Sequence, residues 1–257
     1  MTLPLHVATL IEMAASKNGF DRDLPPVGDW LGFASTRAPL RVWLTLRQDV
    51  DYVAAFSQHA IVSNLAGFGT PTTGPLPCGA VAARVVPGLP DLHHMLRRAF
   101  QLSRSLPDEP LQVFAHKTDK LPKTTEAERL IVQRIGQDIF RDRLLDYWAS
   151  RCPLTGLAVP ALLRASHIKP WAECESDGER LDVFNGLLLA PHWDAAFDRG
   201  FITLANDGAV MVTGKLSPSD RKAIGLDAPA VLPGLTDRHR AYLAWHRERV
   251  YEKEGAE

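Results

Sequence analysis

The chain is poor in cysteine, with only Cys78, Cys152 and Cys174 among its 257 residues. Three widely spaced cysteines do not form the disulfide framework of a small secreted protein. Because no two of them stand in a CxxC pair, a structural zinc site with four cysteine ligands is excluded as well. We expect all three to be reduced, ordinary thiols.

Long apolar runs are also missing. No stretch approaches the roughly 20 apolar residues that a membrane-spanning helix needs. Residues 1–20 lack the early basic region and the long apolar core of a signal peptide, and are better interpreted as a short helix. These features predict no membrane partner and a cytoplasmic location.

The chain has no excess charge of either sign, since 29 basic and 30 acidic residues leave a formal net charge of -1. This balance neither indicates nor excludes a nucleic-acid partner, because a binding protein can confine its basic groups to one face. The length and the ordinary apolar content of 46% predict a globular protein with one large or two small domains.

The N-terminal part of the chain is predicted to be a mixed α/β region. Residues 5–16 and 90–105 are apolar at helical spacing. Residues 40–46 and 52–56 have the composition of strands, with a polar turn between them at Gln48-Asp49.

Two segments are predicted to be loops. Residues 67–79 are rich in glycine, proline and threonine, and residues 108–123 form a polar stretch with two prolines. We place a domain boundary at about residue 120. The expected domains are therefore residues 1–120 and 121–257.

A capping box predicts the start of the next helix. Thr125 and Glu128 have the spacing of this motif, and a helix is expected over residues 126–150. Its apolar side is predicted to comprise Leu130, Ile131, Ile135, Ile139, Leu144, Leu145 and Trp148. The other side carries Arg129, Arg134, Arg141 and Arg143.

The last part of the chain predicts a hairpin and two helices. Residues 201–214 contain two short strands with Asn206-Asp207-Gly208 as the turn. Residues 217–224 predict a short helix, and residues 236–252 a closing helix with its aromatic residues inward and its charges outward. His239 and His246 on this helix are expected to be structural, although His246 could approach a site, since the helix must pack somewhere.

Residues 152–200 hold a cluster of groups that can bind a metal or move a proton. His167 follows an apolar segment and is a natural general base near neutral pH. Asn185 precedes another apolar run, where an asparagine can bond backbone groups on both sides of a loop. These two residues are predicted to form the catalytic pair.

A divalent-metal site is predicted just after Asn185. If a helix begins near Pro191, Asp194 and Asp198 stand four residues apart and share one face. With His192 nearby, they could hold a divalent cation opposite a base that activates water. Such an arrangement suits hydrolysis of a phosphodiester bond.

These motifs resemble the HNH endonuclease family, in particular the bacterial branch that carries "ASHIKPW" and "NGLLL…H-x-D-x-x-x-D". The resemblance implies an α+β fold in which a ββα motif, a hairpin followed by one helix, holds a single divalent metal. It also implies that His167 is the general base and that Asn185 orients the loop that holds this base. Asp194 and Asp198 match the positions from which the family's helix presents its metal ligands.

The chain departs from the family pattern at two places. Ser166 stands where many members have a metal-binding aspartate or histidine, and His192 is the predicted replacement. Many members also carry two CxxC pairs that bind a structural zinc. In this chain the positions of the first pair hold Cys152 and Thr155, and those of the second pair hold Ala190 and Trp193. We therefore predict one catalytic divalent metal, Mg²⁺ or Mn²⁺, and no structural zinc.

Because the resemblance implies a DNA substrate, several basic residues are predicted to contact DNA phosphates. These residues are Arg129, Arg134, Arg141, Arg143, Arg164 and Lys169. The alternative is that the arginine-bearing face of the helix is simply solvated, as such faces usually are.

The favoured hypothesis is a metal-dependent DNA endonuclease of the restriction type. Its N-terminal region would select a target, either a sequence or a modified base, and cutting of both strands would favour a homodimer. Two alternatives stay open at this point. One is a non-catalytic DNA-binding protein on the same scaffold, and the other is a toxin-like nuclease with an inhibitor partner.

Overall fold

The computed structural model describes residues 3–47, 50–106, 108–122 and 124–251. It has the predicted α+β architecture, with antiparallel sheets and helices in both parts of the chain. The chain divides into two compact units, Met1–Glu109 and Pro110–Glu257. The division between Glu109 and Pro110 lies N-terminal to the domain boundary that the sequence predicted at about residue 120. No helix in the described segments is long and apolar enough to cross a membrane.

A six-stranded antiparallel sheet forms the centre of the N-terminal unit. The two predicted strands pair in register, with Val42 opposite Phe56, while their turn at Gln48 and Asp49 lies outside the described residues. The strand order is β1-β2-β3-β4-β6-β5. The strands are β1 (Arg22–Val27), β2 (Trp30–Ala34), β3 (Arg41–Arg47), β4 (Asp51–Phe56), β5 (Thr70–Thr72) and β6 (Ala82–Val86).

Three helices complete this unit, and two of them were predicted. They are α1 (Leu5–Lys17), α2 (His59–Ser63) and α3 (Leu89–Ser105). Helices α1 and α3 contact each other and the central strands of the sheet. The apolar side predicted for α3 is confirmed, because Leu92, Met95, Leu96, Ala99 and Leu102 are fully buried.

Both predicted loops contain regular structure. Strand β5 interrupts the segment 67–79, and its Pro71 is tolerated because β5 is at the edge of the sheet. The loop predicted over residues 108–123 is wrong, because helix α4 (Asp108–Thr118) fills most of it. Pro110 falls in the first turn and Pro122 lies beyond the last, so neither proline interrupts the helix.

Helix α5 (Glu126–Tyr147) begins at the predicted capping box. Thr125 Oγ1 accepts a hydrogen bond from the Glu128 amide at 3.2 Å, and Glu128 Oε2 accepts one from the Thr125 amide at 2.9 Å. The helix ends before residue 150 because Ala149 and Ser150 adopt positive φ angles of 52° and 54°.

The apolar side predicted for α5 is only partly right. Leu130 and Ile131 are more than half exposed, at 58% and 54%, whereas burial begins at Gly136. There a side chain would collide with the ring of Trp171, so this is where the body of the unit meets the helix. The face buried after that point is Ile139, Phe140, Arg143, Leu144 and Tyr147.

The remaining elements include the ββα segment, the hairpin and the two helices that the sequence predicted, together with the short helix Asp177–Leu181, which it did not. They are β7 (Arg164–His167), α6 (Asp177–Leu181), β8 (Gly186–Leu189), α7 (Pro191–Asp198), β9 (Ile202–Leu204), β10 (Val210–Val212), α8 (Pro218–Ala223) and α9 (Asp237–Arg249). The pairs β7–β8 and β9–β10 are antiparallel. Position 252, the predicted end of the closing helix, lies outside the described residues.

The inward face of α9 differs from the prediction. It consists of His239, Leu243 and His246, which recur at intervals of four and three residues and are at most 1% exposed. Tyr242 and Trp245 are only half-buried. The prediction was wrong because it assigned the inward face to the large aromatic residues, whereas the residues on the same side of the helix as the buried Leu243 are the two histidines.

Candidate active site of the C-terminal unit

The scaffold of the site is the β7–β8 hairpin followed directly by α7. His167 ends β7 opposite Gly186, which begins β8. A side chain at position 186 would collide with Phe140 and Leu144, so the glycine allows α5 to pack close to the hairpin. Helix α7 contacts β7, and this brings the residues on the two elements together.

His167 is held in one orientation by its ring contacts. The ring stacks on Phe140 with 3.7 Å between centroids and an interplanar angle of 14°, and Trp171 meets its edge. Its Nε2 lies 2.9 Å from the backbone oxygen of Arg180. Because a carbonyl oxygen can only accept, Nε2 carries the proton and Nδ1 keeps its lone pair.

The protonation state of His167 fits a proton acceptor. Burial lowers the pKa of His167 to about 4, although the bond to the Arg180 carbonyl opposes this shift. The ring is therefore neutral at pH 7. No hydrogen bond to Nδ1 is formed within the described residues, so this nitrogen can take a proton.

Asn185 joins the two ends of the loop that follows His167. It is fully buried, and its Oδ1 accepts a hydrogen bond from the Lys169 amide at 2.8 Å. Its Nδ2 donates to the backbone oxygens of Lys169 and Glu179, both at 3.1 Å. Asn185 thereby has the contacts expected of a residue that orients the loop rather than one that reacts.

Arg180 also holds this loop in place, a role that the sequence analysis did not predict. Its guanidinium donates to the backbone oxygens of Trp171 and Cys174 and pairs with Asp177. Its own carbonyl orients His167. Three of these four contacts involve a backbone oxygen, which every residue type carries, so no sequence motif reveals them.

Two carboxylates on α7 face Ser166 of β7. The Ser166 hydroxyl donates to Asp198 Oδ1 at 3.1 Å, and Ser166 is close enough to Asp194 to oppose the rise in the pKa of that carboxyl. Burial raises the pKa of Asp194, and burial together with the charge of Asp194 raises the pKa of Asp198. The nearby charges of Arg164 and Arg199 act in the opposite direction on Asp194 and Asp198 respectively.

The predicted ligand set of Asp194, Asp198 and His192 is not assembled. On a helix with about 100° per residue, Asp194 and Asp198 lie about 40° apart, but His192 lies at least about 120° from both. His192 is exposed in the first turn of α7. No group of three potential metal ligands occurs within the residues described. The prediction of His192 as a third metal ligand is therefore wrong, and His192 is a surface residue.

The two carboxylates nevertheless fit a divalent cation. They are partly desolvated and repel each other, which raises the pKa of Asp198, and a bound cation would relieve this repulsion. Carboxylate oxygens are ligands that hard cations such as Mg²⁺ prefer. Asp194 and Asp198 are the residues that would hold the ion.

A cavity of about 350 Å³ connects the two sides of the site. His167, Ser166 and Asp198 line it together, and so does His246 from the closing helix α9. The expectation that His246 approaches the site is confirmed. A volume of this size can admit a phosphate group and a water molecule between base and carboxylate.

The predicted DNA contacts are not all accessible. Arg143 is buried, which removes it from a phosphate-binding surface. Arg141 donates to the backbone oxygens of Leu163 and Pro160 at 2.6 and 2.7 Å, so its guanidinium supports the chain before β7.

Lys169 is also engaged within the protein. Its Nζ lies 3.0 Å from Glu179, and its side chain is only 12% exposed. The basic residues of the predicted set that remain exposed are Arg129, Arg134 and Arg164.

Comparison with known proteins supports the interpretation of this site. The family model described as HNH endonuclease matches residues 152–205, which include β7, β8, α7 and β9. No curated protein matches the chain. Residues 152–205 of the C-terminal unit are therefore similar to an HNH endonuclease domain, which suggests nuclease activity in general and implies a DNA substrate.

Proposed function

We propose that the protein is a divalent-metal-dependent DNA endonuclease in which His167 is the general base. The observation that carries this proposal is the cavity shared by His167 and Asp198. It is lined by His167, a neutral imidazole, and by Asp198, one of two carboxylates on α7 that would suit a cation.

His167 would take a proton from the attacking water through Nδ1. A pKa of about 4 leaves the ring unprotonated at neutral pH but makes it a weak base. A phosphate anion entering the cavity would raise this pKa, since a nearby negative charge favours the imidazolium. The Arg180 carbonyl, which accepts from Nε2, would stabilise the positive ring that results.

Asp194 and Asp198 would hold Mg²⁺ or Mn²⁺, and Ser166 would orient the two carboxylates. When bound, such a cation supplies positive charge against the phosphate and the departing 3′ oxygen. Hydrolysis would leave a 5′ phosphate on the product, as in the family that the motifs resemble.

Arg164 and Arg199 are the proposed phosphate contacts nearest to the site. Both are exposed, and each lies close enough to one of the carboxylates to influence its pKa. Arg129 and Arg134, exposed on α5, would extend the basic surface. Their contribution to binding would depend strongly on salt, as phosphate contacts do.

The N-terminal unit would select the target, and restriction of foreign DNA is the role that we favour. The division of the chain into two compact units supports this proposal, because it leaves a unit other than the nuclease domain available for target selection. The target would be a sequence or a modified base. Cutting of both strands with one site per chain would favour a homodimer.

Plasmid cleavage tests this function. Unmodified and cytosine-modified plasmids are incubated with the wild type in Mg²⁺, Mn²⁺ or EDTA. His167→Ala should abolish cutting, whereas His192→Ala, a matched substitution on the exposed side of α7, should leave it intact. The plasmid that is cut faster identifies what the N-terminal unit selects.

The remaining outcomes discriminate the alternatives. A folded wild type that binds DNA but cuts neither plasmid with either metal would indicate a binding protein on an HNH scaffold. Metal-dependent cutting without preference, combined with toxicity on expression, would favour a toxin-like nuclease.

A further inference from the structure

His246 is a buried residue of the active-site cavity that lies outside the matched HNH segment. It is located on α9 and is only 1% exposed. Its ring stacks on Phe197 with 3.9 Å between centroids and an interplanar angle of 11°. The same cavity is lined by Asp198, the residue that follows Phe197.

Both ring nitrogens of His246 are engaged. Nε2 lies 3.1 Å from the backbone oxygen of Phe197, and Nδ1 lies 3.0 Å from Thr203 Oγ1. Because the carbonyl can only accept, Nε2 is the protonated nitrogen, and Nδ1 accepts the hydroxyl hydrogen of Thr203. His246 is therefore a neutral connector between α7 and β9.

The bond to Phe197 acts on the last turn of α7. The final carbonyls of a helix lack partners within the helix, and an unrestrained last turn frays. The Phe197 carbonyl accepts from His246 and also from the Gly200 amide at 2.9 Å. Asp198 lies in this turn, so the position of its carboxylate depends on the same restraint.

The closing helix is itself anchored firmly to the HNH segment. Arg238 pairs with the buried Asp182 at 2.8 Å, and the Tyr242 hydroxyl donates to the same carboxylate at 3.2 Å. Arg247 donates to the backbone oxygen of Leu204 at 2.7 Å. These bonds give His246 a fixed base from which to restrain α7.

We infer that His246 is a positioning residue that holds Asp198 in place for metal binding, which makes α9 a functional part of the nuclease. This inference rests on the proposed role of Asp194 and Asp198 as metal ligands. His246 touches neither the metal nor the reacting atoms in this account. It acts through the Phe197 carbonyl.

Calorimetric titration with Mn²⁺ in the absence of DNA tests the inference on the full chain. His246→Phe keeps an aromatic ring against Phe197 but removes both hydrogen bonds. This substitution should weaken Mn²⁺ binding by about 10-fold, because loss of a group that orients a metal ligand typically lowers metal affinity by about 10- to 100-fold. His246→Gln, whose amide can still donate to the Phe197 carbonyl, should recover part of this loss.

His239→Phe is the matched control. His239 is the other buried histidine of α9, but it packs against Tyr147, Trp148 and Phe184, and its hydrogen-bond partner within the described residues is Thr236. It should change stability without changing Mn²⁺ binding. Circular dichroism and melting temperature identify any variant that fails to fold, and His246→Gln then serves in place of His246→Phe.

The outcomes separate this inference from the proposed function. If His246→Phe binds Mn²⁺ as tightly as His239→Phe and the wild type do, the inference is overturned even when the wild type cuts DNA. A wild type that binds no Mn²⁺ overturns it too. If His246→Phe binds Mn²⁺ more weakly than the wild type, but the wild type itself never cuts DNA, the positioning role is supported and the proposed nuclease function is contradicted.

Discussion

Ser166 on β7 donates its hydroxyl to Asp198 on α7 across 3.1 Å, although the two residues are 32 positions apart. Ser166 is also close enough to Asp194 to influence the pKa of that carboxyl, so one small side chain of β7 lies next to both proposed metal ligands. The residue that departs from the family pattern thus contacts the proposed ligand pair at a position where other members supply a ligand.

Ser166→Asp should restore a metal ligand at this position. A third carboxylate beside Asp194 and Asp198 should lower the melting temperature of the metal-free protein, since three desolvated negative charges repel one another. Mn²⁺ should then raise the melting temperature more than it does for the wild type. Thermal unfolding with and without Mn²⁺ measures both effects.

Ser166→Ala is the control for this experiment. It removes the hydroxyl without adding a charge and should respond to Mn²⁺ no more strongly than the wild type. If Mn²⁺ stabilises Ser166→Asp no more than Ser166→Ala, the carboxylate pair does not form a metal site.

Asn185→Ala should be strongly destabilising. The substitution leaves the amide of Lys169 and two backbone oxygens without their buried partner. Loss of several buried hydrogen bonds should lower the free energy of unfolding by about 2–4 kcal/mol. Urea denaturation measures this change, and a loss below about 1 kcal/mol would show that the loop does not depend on Asn185.

Arg134 and Arg143 should respond in opposite ways to substitution by alanine. Arg134 is exposed, so its loss should weaken DNA binding and reduce the salt slope by about one. Arg143 is buried, so its loss should lower stability and leave the salt slope unchanged. Fluorescence anisotropy at several salt concentrations distinguishes the two, and an Arg143→Ala protein with a reduced slope would contradict this assignment.

Stability should fall as the pH decreases below about 6.5, the pKa of an unfolded histidine. Burial lowers the pKa of His239 to about 3 and that of His246 to about 4 in the folded chain. The unfolded chain therefore binds more protons in this range, and acid favours unfolding. Each histidine should cost about 2 kcal/mol between pH 7 and pH 5.

The variant His239→Phe isolates one of these contributions. Its loss of unfolding free energy between pH 7 and pH 5 should be smaller than that of the wild type by about 2 kcal/mol. Urea denaturation at the two pH values gives the comparison. An equal loss in both proteins would mean that His239 is not kept neutral by folding.

The sequence was most informative where the site is built from local elements. The hairpin from β7 to β8 and helix α7 lie within residues 164–198, so spacing alone predicted that Asp194 and Asp198 share a face. His192 was misassigned because it was chosen as a metal-binding residue type close in sequence, without regard to its angular position around the helix axis.

Predictions that depended on distant packing were less successful. The burial of Arg143 and the exposure of Leu130 reflect which part of α5 meets the rest of the unit, which periodicity does not specify. The ring of His167 bonds the Arg180 carbonyl, 13 positions away, and the ring of His246 bonds the Phe197 carbonyl, 49 positions away. A carbonyl partner is independent of residue type, so it leaves no pattern in the sequence.

Chemical rescue of His167→Gly shows whether the His167 imidazole is the general base. The ring of His167 fills a space beside Phe140 that exogenous imidazole can occupy once the side chain is removed. His167→Gly should not cut plasmid DNA in Mn²⁺, and added imidazole should restore cutting in Mn²⁺ but not in EDTA. A folded His167→Gly protein that cuts at the wild-type rate without imidazole would contradict the assignment of His167 as the general base.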